Sequence, residues 1–203
     1  MYQIESRLRT VEIEDLRPTQ MTVGFKEAEA KRKSWTKLKA DERRSAMGEE
    51  LFPAVQGPKK RYFIIDRHHA ALALLHEEFE RVQVGIAKDL SHLSEKSFWI
   101  YLDHYRWMHC YDAAGKRRPL NEIPKRFEDM KDDPYRSLAG EIRDAGGFAK
   151  TDTLFVESLW ANYLRTCVAA SLLKSDWKTA LRDSMALAAS QDSSHLPGWC
   201  GKR

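Results

Sequence analysis

The sequence predicts an α+β protein, with a small mixed β-sheet in the first half followed by a helical C-terminal half. Three observations carry that expectation. Short apolar runs bounded by Gly and Pro occur before residue 90, where they read as strands. Beyond Ser94 the apolar residues change to helical spacing. Helix stops such as Gly146-Gly147 then divide the second half into separate segments.

Val11, Ile13 and Leu16, with acids between them, read as a first strand that must turn at Arg17-Pro18, because proline restricts the residue before it. From Val23 to about Met47 the chain is rich in Lys, Glu and Ala. It divides into two helices near Ala40-Asp41-Glu42, with Asp41 as the cap. Leu51–Val55 and Arg61–Ile65 flank the turn Gly57-Pro58-Lys59-Lys60 and form a hairpin, the second run apolar enough for burial on both faces. Asp66 ends that strand and the run Ala70–Leu75 starts a helix; Val82, Val84 and Ile86 alternate as a further strand. Ser94 starts a helix through a pattern close to a capping box. Helices follow over Ile123–Met130, Tyr135–Ala145, Thr153–Leu173 and Asp176–Ala189. The expected organisation is residues 1–90 as an α+β core, 91–192 as a helical extension packed on it, and 193–203 as a flexible tail.

A chain of 203 residues can bury a core without disulfide or metal staples. Its net charge of +4, from 34 basic and 30 acidic residues, does not demand a nucleic-acid partner. Charge does cluster at Lys31, Arg32, Lys33, Lys37 and Lys39 and again at Lys116-Arg117-Arg118, where a solvated face is the default reading. Three widely spaced cysteines, Cys110, Cys167 and Cys200, form neither a CxxC pair nor a disulfide framework, which fits a reducing compartment. The polar start of the chain and the lack of a ~20-residue apolar run place the expected location in the cytoplasm, off the membrane.

The candidate site is Asp66-Arg67-His68-His69. A buried strand delivers these polar residues to the first turn of a helix, where unpaired backbone N–H groups and a partial positive charge favour phosphate or carboxylate. Arg67 and the histidines can add to that field, and Asp66 can cap the helix, orient a histidine or hold a metal on a bound nucleotide. Packing alone could also account for them, Asp66 being a cap and the histidines a polar first turn. Arg136 and Arg143, with Lys150 and Glu157, form a candidate second basic surface or a solvated helix stripe. No dedicated metal site is expected: His104 and His109 lack a metal-ligand spacing, and the adjacent His68 and His69 point apart on regular backbone. Trp99, Trp107 and Trp160, with Tyr101 and Tyr105, can stack bases, although aromatics at helical spacing are more often core.

Phe52-Pro53-Ala54-Val55, Gly57-Pro58 and Tyr62–His69 resemble the signature hairpin and loop of the ParB-like/sulfiredoxin superfamily, in its stand-alone ParB-like nuclease branch. Leu16-Arg17-Pro18-Thr19-Gln20 and Val23-Gly24 resemble the segment packed beside that loop. Asp132–Gly140, Gly146-Gly147 and Trp160-Ala161 resemble the branch's C-terminal pattern, so the likeness covers roughly residues 10–166. The resemblance implies nucleotide-phosphate binding at Arg67, His68, His69, Gly24 and Arg17, with Asp66, His68, His69 and Gln20 as the catalytic set. ATP, ADP or CTP would be the ligand, and Mg2+ would arrive with it. Arg67 stands where superfamily loops commonly carry Gly, and Ala70 where they carry Arg. His68 takes the place of sulfiredoxin's cysteine, which removes reductase chemistry. Gln20 lies near an acidic general base of serine-kinase relatives, and an amide cannot accept that proton. Phosphoryl transfer or phosphate-ester hydrolysis on a nucleotide or phosphorylated small molecule is the leading expectation. DNA binding or nuclease action and a non-catalytic nucleotide-sensing scaffold stand beside it.

Overall fold

Five strands of the first ninety residues form one mixed sheet in the order β1-β6-β4-β5-β2. The structure, a computed structural model, describes residues 7–201. β1 (Arg7–Glu12) runs antiparallel to β6 (Arg81–Asp89), and β6 runs parallel to β4 (Leu51–Gln56). β5 (Tyr62–Ile64) returns antiparallel to β4, and β2 (Leu16–Arg17) adds a parallel edge to β5. The single strand expected from Val11 to Leu16 is therefore two. A 3-10 turn at Ile13–Asp15 separates β1 on one edge of the sheet from β2 on the other.

Alternation explains the sheet's placement. Val82, Val84 and Ile86 of β6 are buried on one face while their neighbours are not, as a period of two requires. Between Ala54 and Val55 the β4–β6 register skips Ala87, a one-residue bulge. β3 (Thr22–Val23) is a short strand, and the Lys/Glu/Ala-rich segment gives α1 (Phe25–Thr36) and α2 (Ala40–Gly48). Lys39, not Asp41, holds the α2 cap position, and the Glu42 carboxylate accepts its backbone N–H. α3 (His68–His76) buries Ala70 through Leu74 against the sheet residues Phe52, Ala54, Ile64 and Val84 in one core. Each buried Leu or Phe there contributes about 1.5–3 kcal/mol. A second cluster gathers α4 (Glu95–His104), through Phe98 and Leu102, with Val55, Met108 and Ile123. Ser94 caps α4 as expected, its hydroxyl accepting the Ser97 N–H at 3.2 Å.

By compactness, residues 28–112 and 116–131 group with the sheet in one unit, and residues 24–27 and 113–115 group with the segment from residue 132 onward in a second. The helix expected over Ile123–Met130 is replaced by 3-10 turns at Leu120–Glu122 and Phe127–Asp129, with Pro124 between them. β7 (Lys131–Asp132) is a two-residue strand. The second unit is helical: α5 (Pro134–Asp144), α6 (Val156–Cys167), α7 (Ala170–Ser175) and α8 (Trp177–Ala189) surround Leu138, Ile142, Phe148, Trp160 and Leu164. The helix expected over Thr153–Leu173 breaks at Val168, whose backbone is extended. The expected flexible tail is also corrected. Leu196 is buried, Gly198 accepts the Ala149 N–H at 2.7 Å, and Trp199 donates to the Ser190 carbonyl at 3.0 Å. Residues 202–203 of that tail lie outside the described residues.

Candidate functional site

The junction after β5 is built around one unusual residue. Arg67, the residue before α3, has left-handed backbone angles, φ 63° and ψ 30°. A non-glycine residue there costs roughly 1–2 kcal/mol, so the surroundings must hold it. They do so on both sides. Its N–H donates to Asp66 Oδ1 at 2.7 Å, and its carbonyl accepts the N–H groups of Ala70 and Ala71 at 3.0 and 3.1 Å. Its guanidinium donates to Glu50 Oε2 at 2.9 Å, and Lys31 Nζ lies 2.5 Å from the other oxygen of that buried carboxylate. Arg67 thus takes the conformation that glycine would take more cheaply, while half of its side chain remains exposed.

The two histidines face different tasks. His68 is 3% exposed, and its Nε2 accepts the Thr19 N–H at 3.0 Å. The Thr19 hydroxyl spends its proton on the Ile64 carbonyl at 2.8 Å. Nε2 is therefore an acceptor and the ring proton sits on Nδ1. His68 ties the Pro18–Gln20 segment to the end of β5, and the expected phosphate contact through Nε2 is corrected: that atom is occupied. His69, on the first turn of α3, is only partly buried. Asp66 and Arg67 are exposed beside it.

Other candidates lie elsewhere. Gln20 is 4% exposed within a backbone bridge to His109, so it presents no surface to a reacting group. Gly24 is a close-approach position: a Cβ there would lie 2.5 Å from Ser137 Oγ and 2.8 Å from Ser137 N. The site role expected of it is replaced by packing against the start of α5. Arg17 lines a separate cavity of about 230 Å³ with Leu16, Leu75, Arg126, Phe127 and Glu128, and its Nη1 donates to the carbonyls of Glu14 and Leu16. Burial lowers the Arg17 pKa, and Arg61 and Arg126 push the same way against Asp15 and Glu128.

The expected second basic surface is an ion-paired cluster instead. Arg143 pairs with Glu157, Asp144 and Glu27. Burial alone would lower its pKa, but Asp144 and Glu157 outweigh that and raise it. Arg136 lends its charge to buried Asp133. The basic stretch of α1 is likewise engaged: Lys31 with Glu50, Arg32 with Glu29 and Glu77, and Lys33 with Glu29. Sequence reasoning missed Glu50 and Thr19 as the groups that hold the junction. No local pattern marks Glu50, and Thr19 stood out only as part of a longer motif.

The junction therefore offers a helix start, an exposed Asp and Arg, and one partly exposed His, all beside a strained backbone. Residues 9–166 match the family described as "Putative ParB-like nuclease". The chain belongs to that family. A ParB-like domain fits a nucleotide- or DNA-related role, and the match spans the junction together with α5 and most of α6. The protein Atu1540 from Agrobacterium tumefaciens has a similar crystal structure, at 43% identity and TM-score 0.89. That likeness covers 97% of this chain and 100% of that one. The C-terminally truncated chromosome-partitioning protein ParB from Caulobacter crescentus, complexed with CTP-gamma-S, matches at 13% identity over 92% of this chain and 94% of that one. Its TM-score of 0.31 is too low to support inference. No curated protein matches the chain. Among the described residues, no helix of this ParB-like protein is long and apolar enough to cross a membrane.

Proposed function

We propose that this ParB-like protein binds the phosphate of a nucleotide or phosphorylated small molecule at the start of α3. The observation that carries the reading is Arg67 held left-handed at the strand-to-helix junction. Strain of this kind persists where its surroundings over-determine it, and such positions concentrate at ligand-binding sites. An anion placed there meets the positive end of α3, the exposed part of Arg67 and the partly exposed His69. His68 acts as a positioning residue through Thr19, and Asp66 holds the Arg67 N–H with one oxygen. Asp66 is thus the residue to orient an attacking hydroxyl or a nucleotide-bound Mg2+ in phosphoryl transfer or phosphate-ester hydrolysis. The ionic engagement of the basic stretch in α1 favours this reading over duplex DNA binding.

The test is a thermal-shift and calorimetric panel of inorganic phosphate, ATP, ADP and CTP, with and without Mg2+. A ligand bound only by the native state raises the melting temperature by mass action. His69→Ala and Arg67→Gly should each weaken binding by about tenfold to a hundredfold, as loss of a charge-assisted contact does. Arg67→Gly is chosen because glycine accepts the left-handed backbone, so the fold should survive. Unchanged affinity in both variants, or no shift with any ligand, would overturn the proposal.

A further inference from the structure

A cavity of about 230 Å³ lies in the sheet unit between two 3-10 turns and the last turn of α3. Ile13 and Glu14 line it from the first of those turns, Phe127 and Glu128 from the second, and Leu75 from α3. Leu16 and Arg17 of β2 and the neighbouring Arg126 complete the lining. Leu75 stands about two turns along α3 from His68, which separates the cavity from the helix start proposed for phosphate.

The charges of this lining are unequally matched. Arg126 and Glu128 are joined by two hydrogen bonds, at 2.9 and 3.4 Å, and neutralise one another. Arg17 has no such partner: among the described residues no carboxylate lies within ion-pair distance of its guanidinium. Its Nη1 donates to the backbone carbonyls of Glu14 and Leu16 at 2.6 and 2.7 Å, and so holds the Ile13–Asp15 turn. Its Nε is buried and finds no hydrogen-bond acceptor among those residues. A glutamine amide carries two donors and would hold the same two carbonyls without placing an unpaired charge in a partly buried position. The edge of Arg17 left over is the one formed by Nε–H and Nη2–H. Its two parallel donors match the two oxygens of a carboxylate.

We propose that this cavity binds a small amphipathic carboxylate, an aromatic or branched-chain acid whose two oxygens lie along the Nε/Nη2 edge of Arg17. Ile13, Leu16, Leu75 and Phe127 receive its apolar body. At about 230 Å³ the space lies below the ~300–1,000 Å³ usual for drug-sized ligands, which limits the acid to one ring or a short branched chain. A phosphate dianion suits the lining less well, because Glu14 and Glu128 repel two charges more than one and the four apolar side chains offer it no contact. The proposal does not rest on the phosphate site at α3.

The experiment is calorimetry and amide chemical-shift mapping of the full chain with benzoate, phenylacetate and 3-methylbutanoate. The corresponding neutral amides and inorganic phosphate serve as controls. The acids should bind saturably, shift the amides of Leu16, Leu75 and Phe127, and exceed their amides by about tenfold to a hundredfold, as a charge-assisted bidentate contact does. Arg17→Met should remove that preference and leave the amides' affinity unchanged. Because Arg17 also holds the Ile13–Asp15 turn, Leu75→Trp provides a second test that keeps every charge: it fills the cavity from α3 and should abolish binding of the acids. His69→Ala should leave their affinity unaltered. Absence of saturable binding, equal affinity for acids and amides, or full acid affinity in Leu75→Trp would each overturn the proposal. So would shifts centred on Arg67 and His69 with a loss in His69→Ala, which would place the carboxylate at the start of α3.

Discussion

His68 and His69 are neighbours in sequence with opposite environments. His68 is sealed in the core beside Phe127, its Nε2 accepting a backbone N–H, while His69 stands partly in solvent. The physical reason is helical geometry, which turns successive side chains by about 100°. His68→Ala should therefore act on stability, by losing packing and stranding the Thr19 N–H. A buried donor left without an acceptor costs about 1–3 kcal/mol. Urea unfolding measures it, and a His68→Ala midpoint equal to that of the parent would show that the Thr19 bond contributes nothing. Arg67 and Arg106 share a second residue-scale trait: both are arginines with positive φ at a helix end. At each, a glycine substitution separates backbone need from side-chain chemistry.

At the scale of elements, the α5–α6 pair depends on Trp160. Its ring is fully buried, stacks on Phe148 at 4.4 Å with planes at 6°, and donates from Nε1 to the Pro197 carbonyl at 2.9 Å. Trp160→Ala should cost about 3–5 kcal/mol through the cavity left behind, read by chemical denaturation. Phosphate affinity of the folded fraction should stay unchanged, because Trp160 belongs to the helical unit and the α3 junction to the sheet unit. A large affinity loss with little destabilisation would contradict that assignment. Other element-level differences come from prolines and caps. Pro124 breaks the segment read as helix 123–130, and Val168 adopts an extended backbone that separates α6 from α7.

For the whole molecule, a net charge of +4 combines with extensive internal pairing. Duplex DNA should therefore bind weakly and lose most of its affinity between about 50 and 200 mM salt, as counterion release dictates. Electrophoretic mobility shift across that range checks it. Sequence-selective duplex binding that persists at the upper end would promote DNA above nucleotide as the partner.

The sequence by itself determined the mixed sheet of the first half, the β4–β5 hairpin and the polar junction at Asp66–His69, because patterning and turn chemistry act over a few residues. It also carried the family, through motifs that run along the chain. Only the tertiary structure decided what the junction residues touch. Lys31, Arg67 and Glu50 meet across long stretches of chain, as do Thr19 and His68, and no local pattern encodes such contacts. Burial removed Gln20 from candidacy, and close packing on Ser137 did the same for Gly24. Both outcomes depend on which distant element covers a residue. The aromatic residues in and just after α4 follow the helical reading: Trp99, Tyr101 and Trp107 pack against the Phe98 and Leu102 core, while Tyr105 is 44% exposed.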